Sequence, residues 1–415
     1  MPKSNPPTSP CKAGPPAAEI ARDPRVACAL EWLARTVSRV TEEQIRITEI
    51  PAPPFGEAQR AAYVSKLLAC AGLQVRSDDL GNTIGEWPGT SREVVLLTAH
   101  LDTVFPAGTE VHVRRENGIL RAPGISDNGV GLASLVALAR AIAESRITTK
   151  RTLAFAADVG EEGDGNLRGV RGLVEEYGAR LKAMIAVDGA STEYVITQAL
   201  AARRIEIVVN GAGGHSWSDF GTPNPINALA RGISRFLQVH LPANPRTTFN
   251  IGKIEGGNQV NTIPARALIK VDIRSEQEKE ISRVESALLD AIRAGLADEN
   301  AASAKGRKTG SPRDRGLDMQ VNLLGIRPGG ELAPNSTLLA AVNEADRYLG
   351  TRSTPERAST DANIPLSLGI PAISMGAGGR AGGAHTLGEW YDPAGREIGL
   401  QRLLLTLLGI AGIEK

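Results

Sequence analysis

The stretch Val94-Val-Leu-Leu-Thr-Ala-His-Leu-Asp102 is an apolar run that ends in an imidazole and a carboxylate. In an extended chain side chains alternate between faces, so His100 and Asp102 share one. Such a pair at a buried strand end can hold a cation or move a proton. The pattern recurs: Glu161-Glu162 follow the run Thr152 to Asp158, Asp188 follows Ala183 to Val187, Asp127 precedes a glycine-rich helix start, and His385 lies beyond Ile370 to Met375. Each has a plain alternative. Asp127 could cap the helix from Gly129, Glu161-Glu162 and Asp188-Gly189 could be turns, and His385 could be an ordinary loop histidine. Together, these five acids and two histidines would desolvate and repel one another unless a cation sat among them. Imidazole and carboxylate donors without a thiolate suit Zn, Mn or Co, and a bridging carboxylate would hold two ions about 3.5–4 Å apart.

The elements that must position these groups follow from periodicity. Apolar runs ending at His100, Asp158, Asp188 and Met375 alternate with helical patterns, of which Gly129 to Glu144 places Leu132, Leu135, Val136, Ala139 and Ile142 on one face. That alternation predicts an α/β catalytic domain: a mostly parallel sheet with helices on both faces and functional groups at the carboxyl ends of its strands. Ile50-Pro-Ala-Pro-Pro-Phe-Gly-Glu57 must be a loop, because its prolines lack the donors a helix needs. From about residue 200 the pattern becomes half-exposed strands and charged helices in the order βαββαβ, that of a ferredoxin-like α+β sandwich. The expected domains are 23–198 with 329–415, interrupted by an inserted domain at 199–328. Residues 1–22, rich in Pro, Ser and Lys, are expected to be a disordered leader. Within the insert, a helix is expected to end near Ala297 and Asn300 to Leu317 to form a mobile loop.

Composition excludes several classes. A length of 415 residues favours two domains, and a formal net charge of +1 provides no field to recruit nucleic acid or an anionic membrane. The three cysteines, Cys11, Cys28 and Cys70, have no CxxC spacing, so neither a disulfide framework nor a thiolate metal site is expected. No apolar run reaches the roughly 18–20 residues of a membrane span, no secretory signal is evident, and the expected location is the cytoplasm. The loop Gly376 to Gly383 lacks phosphate-binding spacing; it is expected to line a substrate pocket beside His385.

Taken together, HLDTV (100–104), GISDNGVG (124–131), DVGEEG (158–163), AVDGA (186–190), GGHSW (213–217) and GGAHTLGEW (382–390) resemble the M20 family of dinuclear metallopeptidases, nearest to its peptidase T-like members. The resemblance spans about residues 45–410. It implies that His100, Asp127, Glu162, Asp188 and His385 are the ligands of two divalent ions, Zn first with Mn or Co as alternatives, and that Asp127 bridges them. It further implies that Asp102 orients the His100 imidazole and that Glu161 is the general base. The insert would make a homodimer, His215 would reach the partner's site to stabilise an oxyanion, and Asn261 and Arg274 would contact substrate. The residues alone also allow His215 to cap the following helix region, Arg274 to be a structural strand arginine and the insert to be only a lid; the role of Asp361 in STDAN is open.

The implied function is hydrolysis of an amide bond in a small peptide or an N-acyl amino acid. One alternative is an amidohydrolase or deaminase acting on a non-peptide N-acyl or aryl amine. Another is a non-catalytic binding protein on the same fold, which would have no need of Glu161.

Overall fold

In the computed structural model, which describes residues 16–304 and 316–414, the apolar runs become the middle of a nine-stranded sheet among the described residues. Its order is Gln74–Ser77, Thr83–Trp87, Arg151–Asp158, Ser91–His100, Leu181–Val187, Ala372–Met375, Tyr194–Ala199 and Gly330–Glu331, with Thr354–Ala358 also paired to Tyr194–Ala199. Parallel ladders join the four strands Arg151–Asp158, Ser91–His100, Leu181–Val187 and Ala372–Met375. They are covered on both faces, which is why they read as unbroken apolar runs; Leu96, Leu97, Phe155 and Ile185 have no exposed surface. Being parallel, they end on one edge of the sheet, with His100 opposite Asp158 in register.

The helix Gly129–Glu144 crosses this sheet with almost every residue buried. Its cap is Asn128, whose side chain accepts the Gly131 N–H at 3.1 Å and donates to the Val187 carbonyl at 2.8 Å. The alternative reading of Asp127 as the cap is therefore corrected, and Asp127 is released for other work. A Cβ on Gly131 would come within 2.5 Å of that same carbonyl, so glycine lets the helix seat on the strand end. Truncating the buried Leu135 to Ala would cost about 2–5 kcal/mol.

Two further expectations need correction. The leader does not extend to residue 22: Ala17–Ile20 is a short helix whose Ala17 and Ile20, three residues apart on one face, are buried against the helices Thr337–Leu349 and Arg396–Ala411. Residues 1–15 lie outside the described residues. A small four-stranded sheet, Arg380–Gly382, Trp390–Asp392, Ile119–Arg121 and Arg114–Glu116, was not expected at all, because its strands are three residues long and without apolar alternation.

The chain divides into two units, Met1–Ala199 with Gly330–Lys415, and Leu200–Gly329. The second is an antiparallel sheet in the order Thr247–Gly256, Arg266–Ser275, Ala201–Asn210, Asp318–Arg327, with the helices Pro225–Phe236 and Glu278–Ala304 packed on it around Ile205, Ile207, Leu229, Ile269 and Leu288. Its element order is the βαββαβ read from the pattern. The long helix runs past Ala297 into the stretch expected to be a loop. The reason is visible in Glu299, which is buried and bonds the Asn224 N–H and the Arg231 guanidinium at 3.1 Å each. Residues 305–315 of the expected mobile loop are outside the described residues.

Candidate metal centre

All five expected ligands converge on the carboxyl edge of the parallel strands. His100 ends its strand, Asp188 follows Val187, Asp127 precedes the helix cap, and Glu162 follows the Arg151–Asp158 strand. His385 stands in the loop between two strands of the small sheet, with φ +64. The left-handed backbone of a non-glycine residue costs energy, and such residues persist where the surroundings enforce them.

Asp127 is the hub. One oxygen lies 3.1 Å from His100 Nε2 and the other 3.0 Å from His385 Nε2. Asp188 is 3.9 Å from His100 Nε2, and Glu162 is 2.8 Å from His385 Nε2. Two ligand groups result, His100/Asp127/Asp188 and Asp127/Glu162/His385, each with its donor atoms within 4.8 Å of one another. They share the carboxylate of Asp127.

The donor chemistry fits divalent metal. His100 Nδ1 is 2.9 Å from the backbone carbonyl of Asp102, so a neutral imidazole donates there and presents a bare Nε2 to Asp127 Oδ1. Two lone pairs facing each other at that distance require a proton or a cation between them. Buried Asp127 Oδ1 has no hydrogen-bond donor. With protons alone the cluster is strongly perturbed. Burial raises the Asp127 carboxyl, but His100 and His385, once protonated, outweigh it and hold Asp127 well below the usual carboxylate range. Asp188 is raised, chiefly by burial. Bonding to Asp127 and Glu162 pushes His385 up to about 10.

The expected role of Asp102 is corrected. Its carboxylate is 3.8 Å from His100 Nδ1, too far for a hydrogen bond. It instead accepts the N–H groups of Glu161 at 3.0 Å and Glu162 at 2.8 Å, while its backbone carbonyl orients the imidazole. Asp102 therefore ties the strand carrying His100 to the turn carrying the two glutamates. Glu161 is buried and belongs to a third cluster, His100/Glu161/Glu162.

Sequence reasoning gave no role to Asp158 or Glu389 and left that of Asp361 open. Asp158 and Asp361 are buried, and each is held above the usual carboxylate range first of all by burial. Glu389, inside a motif already quoted, is a fully buried carboxylate bonded to the Asp127 loop. The available signal for Glu389 was an acid four residues beyond the expected ligand His385.

A cavity of about 770 Å³ opens beside the ligands, lined by Asp127, Asp188, Tyr194, Trp390 and the glycine loop from Gly379 to Gly383. The loop thus does line a pocket at this site.

The other expected residues lie in the second unit. Gly214–His215 pairs with Thr262–Ile263, and the Ser216 N–H donates to the Asn261 carbonyl at 2.9 Å, which brings His215 and Asn261 together on exposed turns. His215 Nδ1 accepts the N–H groups of Trp217 and Ser218 at 3.2 and 3.4 Å. Arg274 is not with them. It lies near the opposite end of its strand, opposite Ala202 and Thr248, and its Nε bonds Asp272 at 2.7 Å.

Comparison with known proteins identifies the family. Residues 96–408 match the model of peptidase family M20/M25/M40. The chain is 24% identical over 365 residues to the uncharacterized protein YqjE of Bacillus subtilis, covering 82% of this chain and 90% of that protein. It is also 24% identical over 425 residues to N-carbamoyl-L-amino-acid amidohydrolase of Paenarthrobacter aurescens, covering 88% and 93%. The crystal structure of aminopeptidase PepT from Bacillus cereus shares the fold with a TM-score of 0.70 at 21% identity, over 90% of this chain and 99% of that one. No described helix is long and apolar enough to cross a membrane. With a family match that spans most of the chain and a shared-carboxylate cluster at the strand ends, the chain belongs to peptidase family M20/M25/M40 and is a hydrolase.

Proposed function

We propose that this hydrolase uses two divalent ions, Zn in preference to Mn or Co, to cleave an amide bond in small peptides or N-acyl amino acids. The observation that carries the reading is Asp127, whose two oxygens face two imidazoles from opposite ends of the chain. His100, Asp188 and Asp127 would hold one ion, and Glu162, His385 and Asp127 the other. When bound, the ions would polarise the amide carbonyl and acidify water. Glu161 would take the proton from the attacking water and return it to the departing amine. Asp102 would keep Glu161 in place through its backbone N–H.

His215 is proposed to stabilise the oxyanion in the partner subunit's site, with Asn261 beside it. Its tautomer supports this: an Nδ1 that accepts two N–H groups leaves the proton on Nε2, where it can be donated. Turn capping and catalysis are therefore compatible. Pairing of two chains is supported by Trp217, Phe220 and Val260, which are 87%, 86% and 104% exposed around His215 and Asn261. Arg274 is retained as a candidate for binding a substrate carboxylate through the nitrogens not engaged with Asp272. A cytoplasmic location belongs to the same reading.

The test is a panel of di- and tripeptides, N-acyl and N-carbamoyl amino acids and aryl amines, assayed after chelation and after adding back Zn, Mn or Co. Metal-dependent release of an amine from a peptide or N-acyl substrate is expected. Turnover confined to aryl amines, or turnover that survives chelation, would overturn the proposal.

A further inference from the structure

Glu389 has no exposed surface, and four groups donate to it. The Gly124 N–H reaches Oε2 at 2.8 Å; the Ser126 N–H, the Ser126 hydroxyl and the Asp127 N–H reach Oε1 at 2.7, 2.7 and 2.9 Å. Every donor lies on the loop that presents the bridging Asp127, or is Asp127 itself. Glu389 sits on the other ligand loop, just after His385. Around it the two loops are stitched together: the Ala122 N–H donates to the Glu389 carbonyl at 3.2 Å, and Trp390 pairs with Arg121.

A buried charge is costly unless it is fully bonded, so a carboxylate spent on loop N–H groups in this place has a physical consequence. Two ligands far apart in the chain would otherwise have to be ordered by the metal itself, and the entropy of that ordering would be subtracted from its affinity. We propose that Glu389 is a positioning residue that locks the Asp127 loop to the His385 loop, so that the ion held by Asp127, Glu162 and His385 meets a preformed site. The proposal rests on the ligand assignment above.

The test compares wild type, Glu389→Gln and Ser126→Ala by metal content and by stepwise metal affinity in competition with a chelator, with thermal unfolding of the metal-free proteins alongside. A Gln would turn one acceptor into an amide donor facing N–H groups. Glu389→Gln is expected to bind one of two ions roughly 10–100-fold more weakly, with kcat lost at limiting metal and restored at high metal while KM stays nearly constant. Ser126→Ala, which removes one donor of the four, is expected to weaken the same ion by a smaller factor; it decides the matter if Glu389→Gln fails to fold. Wild-type affinity for both ions in these variants, with only the unfolding temperature lowered, would reduce Glu389 to a structural carboxylate and overturn the proposal. Wild type that holds fewer than two ions would instead overturn the ligand assignment beneath it.

Discussion

One histidine from each unit, His100 and His215, shows opposite treatment. In the first, His100 is 2% exposed at the end of a central parallel strand, and a backbone carbonyl fixes its orientation. In the second, His215 is exposed on a two-residue strand paired with Thr262, in a turn where its N–H donates to Asp219 at 2.7 Å. The difference teaches what each position is built to do. On the proposed roles, a ligand such as His100 gains from being ordered before the ion arrives, whereas a group such as His215 can be ordered by the substrate or partner chain it meets. On these roles, substitution of a proposed ligand or of a group that supports one should act through metal content, whereas substitution of Glu161 or His215 should act through turnover alone.

Glu161→Gln should give the largest effect on that contrast. It is expected to retain both ions by metal analysis while kcat falls by about 10³-fold or more, the upper range for a lost general base; loss of metal in the variant would break the division of roles between Glu161 and Glu162. His215→Ala should follow, with kcat reduced about 10²-fold and metal content unchanged. Mixing it with Glu161→Gln chains sharpens the comparison, because exchange of subunits should restore activity if His215 acts across a dimer. No recovery from the mixture, in a protein that sediments as a dimer, would place His215 outside its partner's site.

Asp102→Ala is expected to weaken metal binding roughly 10-fold. It removes the acceptor of the Glu161 and Glu162 N–H groups but leaves the carbonyl that orients His100. An unchanged metal affinity would show that the turn holds itself.

The smallest effect concerns pH in the metal-free protein. The pKa of His385 is raised from 6.5 to about 10, mainly by Asp127 and then by Glu162. A raised folded pKa adds stability that is complete below the unfolded value and is lost as pH climbs through the folded one. The metal-free protein should therefore lose stability between about pH 7 and 10. The imidazole is 54% exposed, so solvent screening limits the change to a few degrees in unfolding temperature. Metal binding over the same range should release protons and strengthen as pH rises. A flat stability profile without metal would remove His385 from the ion-paired cluster.

Much of the site was legible because buried parallel strands advertise themselves. A single apolar run ending in His100 or Asp188 has a plain explanation as a turn or loop start, but the recurrence of that pattern pointed to one edge of one sheet. What stayed hidden depended on partners distant in the chain. Nothing near Glu389 shows that its donors come from Gly124 to Asp127, and nothing near Asp102 shows that its carboxylate serves the glutamate turn while its carbonyl serves His100. Asn128 and Asp127 are adjacent capping candidates, and only packing against Val187 decides between them. The short strands that carry the His385 loop lack periodicity, because three residues leave no room for it.

The most direct test of the central claim is the number of ions bound per chain by wild type and by Asp127→Asn, measured by metal analysis after dialysis and paired with turnover of a peptide or N-acyl substrate. The shared carboxylate predicts two ions per chain in wild type, weakened binding at both positions in Asp127→Asn, and loss of activity with them. A wild type saturated by one ion, or an Asp127→Asn variant that keeps both ions and full activity, would contradict it.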